Sequence, residues 1–389
     1  MTKKWSSRLT FFAFVVLMVG LGSNDSLRGI FSTIFQEHFS LTTTQLGLIV
    51  TASYIGNLVF LLVGGNLSTR FSKKRVLQVL ILIWMAALAL FAFTSNYTVL
   101  LIGMALALGS STLLNTTMNL ITPLLFATAP GFFVNFLFFT QEIGTSGSQY
   151  ILGSHADGFA FWQHTNLVLL ILGAVAFVLL LFCNVPEEAA APADAPAQKG
   201  GYDWRIIVPY VLVFGFYFIA EHGVMNWMVA YGVDGLGLPQ ASAAKYLSVF
   251  FGGMMIGRLC LSPLVDKLGA LKSLAAFGGV SCVLYLIGSL GGAVTMPVWA
   301  ISGLSFSILY PTLVMSIRLY FPAQQVSGAA GTILSIASLA DILFNVGFGK
   351  LVDMAGYAVS IRVLPLSALA FFIVFMLFTK FCKPMQKLK

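Results

Sequence analysis

Four carboxylic acids lie inside stretches that are otherwise apolar: Asp25, Glu142, Glu221 and Asp341. A carboxyl held away from water keeps its proton more tightly than one in water, so it can load and release a proton near neutral pH. A charge in the middle of an apolar medium is expensive, so such groups face a partner or a wet cavity. Three of the four bring polar residues at helical spacing. Glu142 is preceded by Gln141 and followed by Thr145, Ser146 and Gln149. His222 and Asn226 lie i,i+4 beside Glu221, with Trp227 next to them. Ser338 and Asn345 flank Asp341. Asp25 stands between Asn24 and Arg28, and Asn115 with Asn119 makes a further stripe without an acid. Together these groups offer proton carriage and hydrogen bonding to a small polar solute. They do not offer covalent chemistry: there is no nucleophile–base set, metal triad, phosphate loop or HExxH, so we expect neither an enzyme nor an ATP-driven machine.

Each residue also has a plainer reading. Asp25 reads as a proton carrier, as half of a static salt bridge with Arg28 on one helix face, or as an acid at an exposed helix end. Arg28 is either the internal counter-charge that Asp25 trades for a proton, a gating role, or a neighbour reaching the outer surface. Glu142 is a second proton site or an interhelical hydrogen bond. Trp227 stacks on a solute or anchors at the membrane interface. His222 titrates in the physiological range or only holds a hydrogen bond. Asp341 and Asn345 either line a cavity or join neighbouring helices. Arg258 reads as structural or gating, paired with Asp266 or a helix terminus.

The elements that must position these groups follow from composition. The chain has 389 residues, 58% hydrophobic and only 9% charged, with mean hydropathy +0.93. A soluble domain carries about 25% charged residues, so lipid must be the solvent for most of this surface. The four cysteines show no metal or disulfide spacing. The net charge of +8 does not point to nucleic acid, because the basic residues fall in short clusters between apolar runs, as membrane topology requires. The N-terminal run lacks a convincing cleavage site and reads as a retained helix.

A spanning helix needs about 20 mostly apolar residues. Twelve segments qualify, roughly 9–35, 43–66, 75–94, 98–125, 132–153, 165–184, 205–230, 241–262, 272–291, 296–320, 327–348 and 361–381. With the N-terminus inside, the clusters around Lys3, Arg70–Arg75, Lys199, Lys267 and Lys380–Lys389 all fall on the inner side. That asymmetry predicts a multi-pass protein of the cytoplasmic (inner) membrane with both termini cytoplasmic. Residues 184–204, rich in Ala and Pro, read as a cytoplasmic linker. The expected domains are a six-helix bundle at 1–183 and another at 205–389. The halves repeat: Gly65–Arg75 aligns with Ser262–Lys272, and Gly153–Gly158 with Gly349–Gly356, at nearly equal offsets of about half the chain. The same offset places Asp25 opposite Glu221. Parallel repeats put a solute path at the interface of the two bundles. Pro123 and Pro311 are expected to kink their helices.

Twelve spans, a central linker and a repeated loop motif resemble the major facilitator superfamily. The stretch GGNLSTRFSKKR looks like that family's loop motif through Gly65, Leu67, Arg70 and Lys74, with Thr69 where an acid is usual; the second copy keeps the acid as Asp266. Within the family, NDSLRGIFSTIFQEHF, NFLFFTQEIGTSG and SILYPTLVMSI are similar to helices one, five and ten of the fucose–galactose–glucose proton symporters. The resemblance implies an all-α membrane fold of two pseudo-symmetric six-helix bundles, with helices 1, 4, 5, 7, 10 and 11 lining the cavity. It implies Asp25 as proton carrier and Gln141 as a solute-binding amide. It places Asn115 where the best-known members carry a second acid, which leaves Glu142 as the candidate replacement. The solute-contacting set is then Asn24, Asn115, Asn119, Gln141, Glu221, His222, Asn226, Trp227, Asp341 and Asn345. Arg28, Arg70, Arg258 and Asp266 form the gating set.

The expected function is uptake of a small polar solute, a sugar, by proton symport with alternating access. The competing reading is a proton-coupled exporter of drugs or metabolites, for which the 35 phenylalanines would supply a greasy pocket. Oxygens of Asp, Asn and Ser also suit sodium as the coupling ion. No cofactor is expected. The partners are the solute and membrane lipids, with no nucleic acid, and the chain is expected to act as a monomer. No connection is long enough to hold the output domain that a sensor would need.

Overall fold

In the computed structural model the described residues are 3–126, 130–186 and 202–384, with some helical side chains left out, Arg70 and Asp266 among them. The expected gating roles of Arg70 and Asp266, and most of the expected linker, therefore lie outside the described residues. Among the described residues every regular element is helical. Eleven stretches are long and apolar enough to cross a membrane. The remaining expected span, 132–153, is occupied by the helix Pro130–Ile151.

The chain divides into two units, Met1–Leu41 with Leu48–Lys199, and Thr42–Gly47 with Gly200–Lys389. The helices of the N-terminal half are α1 (Lys3–Ile30), α2 (Ser32–Phe39), α3 (Thr43–Arg70), α4 (Lys73–Phe93), α5 (Tyr97–Leu125), α6 (Pro130–Ile151) and α7 (Phe159–Phe182). The first expected span is divided: α1 stops at Ile30 and α2 restarts at Ser32. Polar residues start the next elements by taking up unbonded backbone N–H groups. The Ser72 hydroxyl accepts from the Arg75 N–H at 3.4 Å, and the Asn96 side chain accepts from the Val99 N–H at 3.2 Å. At the other end of a helix, the Lys74 Nζ donates to the carbonyls of Leu181 (3.0 Å) and Cys183 (2.7 Å), satisfying the last turn of α7. Lys74 of the loop motif thus ties two helices of one unit.

α1 and α6 cross where glycine is needed on both sides. A Cβ on Gly22 would strike the Gln141 carbonyl, and one on Gly144 would strike the Val19 carbonyl. Close backbone approach then allows side chains to bond across the crossing. Ser23 donates to the Gly144 carbonyl at 3.3 Å, and Thr145 donates to the Gly22 carbonyl at 3.2 Å. This crossing fixes the height of Asp25 relative to Gln141.

The second unit contains α8 (Trp204–Ala230), α9 (Gln240–Leu268), α10 (Ala270–Leu290), α11 (Met296–Ile301), α12 (Gly303–Phe306), α13 (Leu309–Ser316), α14 (Ala323–Ala355), α15 (Tyr357–Ser360) and α16 (Val363–Phe381). α8 ends in a wider turn, Tyr231–Gly235. The expected tenth span is not one helix kinked at Pro311. It is three short helices, α11 to α13, interrupted at Ser302 and at Ser307–Ile308. Pro311 lacks an N–H and cannot bond the preceding turn. Ser302, Ser305 and Ser307 add side-chain bonds to the carbonyls of Trp299, Ser302 and Leu304 at 2.5, 2.9 and 2.7 Å. An aromatic core packs around this broken segment, with Phe306 stacked on Tyr217 and Tyr285 at ring distances of 5.1 and 5.0 Å.

Candidate functional site

In the first unit α1, α5 and α6 bring a polar strip together. Ser111 of α5 donates to Asp25 Oδ2 at 3.0 Å, and the Asn24 amide reaches Oδ1 at 3.4 Å. Asp25 keeps part of its surface exposed, while Asn24 and Arg28 are buried. One turn further along α5, the Asn115 amide donates to Gln141 Oε1 of α6 at 2.6 Å, and Asn119 donates to Asn115 Oδ1 at 2.6 Å. These three amides form a neutral chain of donors and acceptors. Glu142 is half-buried and bonds to neither Asp25 nor Asn115 among the described residues. The structure therefore gathers Asn24, Asp25, Asn115, Asn119 and Gln141, and leaves Glu142 off that chain. The one-face salt bridge between Asp25 and Arg28 is not formed: no carboxylate among the described residues lies within 4 Å of the guanidinium. The Arg28 guanidinium carbon sits instead 5.8 Å from the centre of the Tyr54 ring.

Two residues of this strip were not anticipated, Ser111 and Tyr54. Ser111 was readable, because 111, 115 and 119 are spaced by four and share a helix face. Tyr54 had no such signal, since its place beside Arg28 depends on how α3 lies against α1.

In the second unit α8 and α14 hold a different set. His222 Nδ1 meets Asp341 Oδ2 at 2.7 Å, with Asp341 only 2% exposed. Phe218 stacks on the His222 ring at 5.3 Å, nearly parallel. The Trp227 indole N–H donates to Asn345 Oδ1 at 2.8 Å, and the Asn345 amide donates back to the Asp341 carbonyl at 2.8 Å. Trp227 is fully enclosed, with Phe348 at 4.8 Å, so it is not an anchor on the outer face of the unit. Asn226 is buried on the same helix. Glu221 is buried too, but it belongs to another cluster. It and half-buried Arg258 both act electrostatically on Tyr217 and Tyr310. Neighbouring positions on a helix point about 100° apart, which is why Glu221 and His222 enter separate clusters. Among the described residues no group of His, Cys, Asp and Glu is arranged to hold a metal ion.

Comparison with known proteins places this geometry in context. The profile of the Major Facilitator Superfamily matches residues 10–343. An L-fucose-proton symporter of Escherichia coli (strain K12) is 24% identical over 333 residues, covering 74% of this chain and 75% of its own. A cis,cis-muconate transport protein of Acinetobacter baylyi (strain ATCC 33305 / BD413 / ADP1) is 24% identical over 297 residues, 71% of this chain and 70% of its own. Among solved structures, a D-xylose-proton symporter superposes with TM-score 0.78 at 16% identity, over 97% of this chain and 98% of that one.

Proposed function

Because the chain belongs to the major facilitator superfamily, we propose that it is a secondary active transporter that takes up a small polar solute of the sugar class together with a proton. The observation that carries this reading is Asp25. It is an acid within a spanning helix, held by Ser111 and Asn24, with part of its surface open. A site that loads and unloads protons needs both features: low polarity, which makes the neutral acid accessible, and a path for the proton.

The amides of Asn115, Asn119 and Gln141 supply paired donors and acceptors, which match the hydroxyls of a sugar. The solute would exchange its water shell for these groups and leave none of them unpaired. A fucose–proton symporter among the relatives supports the sugar class and the coupling ion. In alternating access, Asp25 takes a proton on the outer side, the solute binds, and both leave on the inner side. The clusters of Lys and Arg in short connections support an inner-membrane location with both termini cytoplasmic.

The test is transport in proteoliposomes with an imposed proton gradient. Asp25→Asn should abolish accumulation against a gradient while solute exchange at equilibrium continues. Full pH-driven accumulation by that variant would overturn Asp25 as the carrier. Dependence on sodium at fixed pH would overturn the proton.

A further inference from the structure

Arg28 is the charged group of α1 that proton carriage leaves unexplained. It is 5% exposed. Its Nε is buried with no hydrogen-bond partner, and no carboxylate among the described residues comes within 4 Å. Asp25, three residues earlier, acts on it only through space. The Tyr54 ring stabilises the cation through its face, and that contact uses none of the five N–H donors. A buried guanidinium without a counter-ion is costly. What would complete it is a planar anion with two oxygens, the geometry that a guanidinium fork matches.

We propose that the solute carries a carboxylate and that Arg28 binds it, so that the cargo is a small hydroxylated organic acid of the sugar-acid class. This rests on the symport reading above and narrows its substrate. The carboxylate would take the Arg28 fork, and the hydroxyls would take the Asn115–Gln141 chain on the neighbouring helices.

The arrangement also explains the coupling. Ionised Asp25 competes with the solute for the field of Arg28, and a proton on Asp25 removes that competition. Proton and anion therefore bind better together than apart, and by linkage each raises the affinity for the other by the same factor. The remaining ionisable side chains on elements packed against α1 are Tyr97 on α5, Glu142 and Tyr150 on α6, His164 on α7, and Glu37 with His38 on α2; α3 carries Tyr54 and ends at Arg70. None of these with a described side chain makes an ion pair or hydrogen bond to Arg28. One proton moving with one monovalent anion transfers no net charge. A proton moving with a neutral sugar does.

The experiment uses the full chain in proteoliposomes and matched probes: D-galacturonate against D-galactose, and D-glucuronate against D-glucose. An inside-alkaline pH gradient should drive uptake of an acid about tenfold or more above its neutral partner. Uptake of the acid should not respond to a potassium–valinomycin potential. Arg28→Gln should lower acid uptake about tenfold or more, and Arg28→Lys should retain an intermediate rate, since lysine keeps the charge but loses the fork. At low pH, where Asp25 is protonated and no longer offsets the guanidinium, the melting temperature of purified, ligand-free Arg28→Gln should equal or exceed that of the wild type. Equal uptake of acid and neutral sugar, stimulated by the potential and unchanged in Arg28→Gln, would overturn the carboxylate assignment and leave proton–sugar symport standing. Failure of all four probes to be taken up, or to raise the melting temperature of the wild-type protein, would overturn both readings.

Discussion

Asp25 on α1 and Glu221 on α8 occupy equivalent positions in the two sequence repeats, yet their surroundings differ in kind. Asp25 is held by two neutral donors, keeps an exposed edge, and has a buried arginine nearby that does not pair with it. Glu221 is buried on a helix rich in aromatic residues and shares tyrosine neighbours with Arg258. Among the described residues of the second unit, Asp341 is held directly by a chargeable partner, His222, at 2.7 Å. In the first unit the acid touches only neutral donors, whereas in the second Asp341 meets His222 through Oδ2 and keeps its buried Oδ1 without a hydrogen-bond partner among the described residues. A carrier must change protonation during each cycle, so it cannot be locked to a partner. A structural acid must not change, so it is. The difference fits the proposal that Asp25 carries the proton, and the His222–Asp341–Asn345–Trp227 set bonds α8 to α14.

That contrast can be broken by experiment. The largest effect is expected from exchanging the two acids for amides in parallel transport assays. Asp25→Asn should eliminate proton-driven accumulation, whereas Asp341→Asn should retain it at a reduced rate. Equal loss in both variants would erase the distinction. Next in size is the α1–α6 crossing. Gly144→Val places a side chain against the Val19 carbonyl, and overpacking of this kind costs about 1–3 kcal/mol or more. The melting temperature should fall and Asp25-dependent uptake should fall with it, since the crossing sets the height of Asp25.

A double-mutant cycle addresses the second unit. His222→Phe strips Asp341 of its partner and should cost about 1–3 kcal/mol. Adding Asp341→Leu should restore part of that stability, because both buried polar partners are then gone. Additive losses in the cycle would mean that the pair is not a unit. The smallest effect is expected from Trp227→Phe, which loses the single bond to Asn345 and should cost about 1 kcal/mol in thermal stability with transport intact. Loss of transport without loss of stability in that variant would move Trp227 into the solute site. The pH dependence should also be one-sided. Loading requires the protonated acid, so initial uptake should rise as the external pH falls, and Asp25→Asn should flatten that profile.

Much of the architecture was written in local sequence. Apolar runs of about 20 residues give spanning helices in any tertiary context, because a backbone in lipid must satisfy its own hydrogen bonds. The stripe Asn115–Asn119 could be read from helical spacing, whereas the pair Asn24–Asp25 was carried by the family resemblance. Breaks were less legible. The tenth span is expected to kink at Pro311, and the structure divides it into α11, α12 and α13, with breaks at Ser302 and Ser307–Ile308 that no periodic pattern marks.

The sequence by itself determined that this chain lives in lipid, that its polar residues are few, and which helices carry them. Periodicity fixes the face of a helix on which a residue stands, since 3.6 residues make a turn. It does not fix what stands opposite. Tertiary structure alone decided that Ser111 meets Asp25, that His222 meets Asp341 and not Glu221, and that among the described residues Tyr54 and no carboxylate within 4 Å faces Arg28. The physical reason is that these partners come from helices distant in the chain, and their register depends on how closely backbones approach at glycines such as Gly22 and Gly144. A crossing set by the absence of side chains is invisible to any pattern of the side chains that are present.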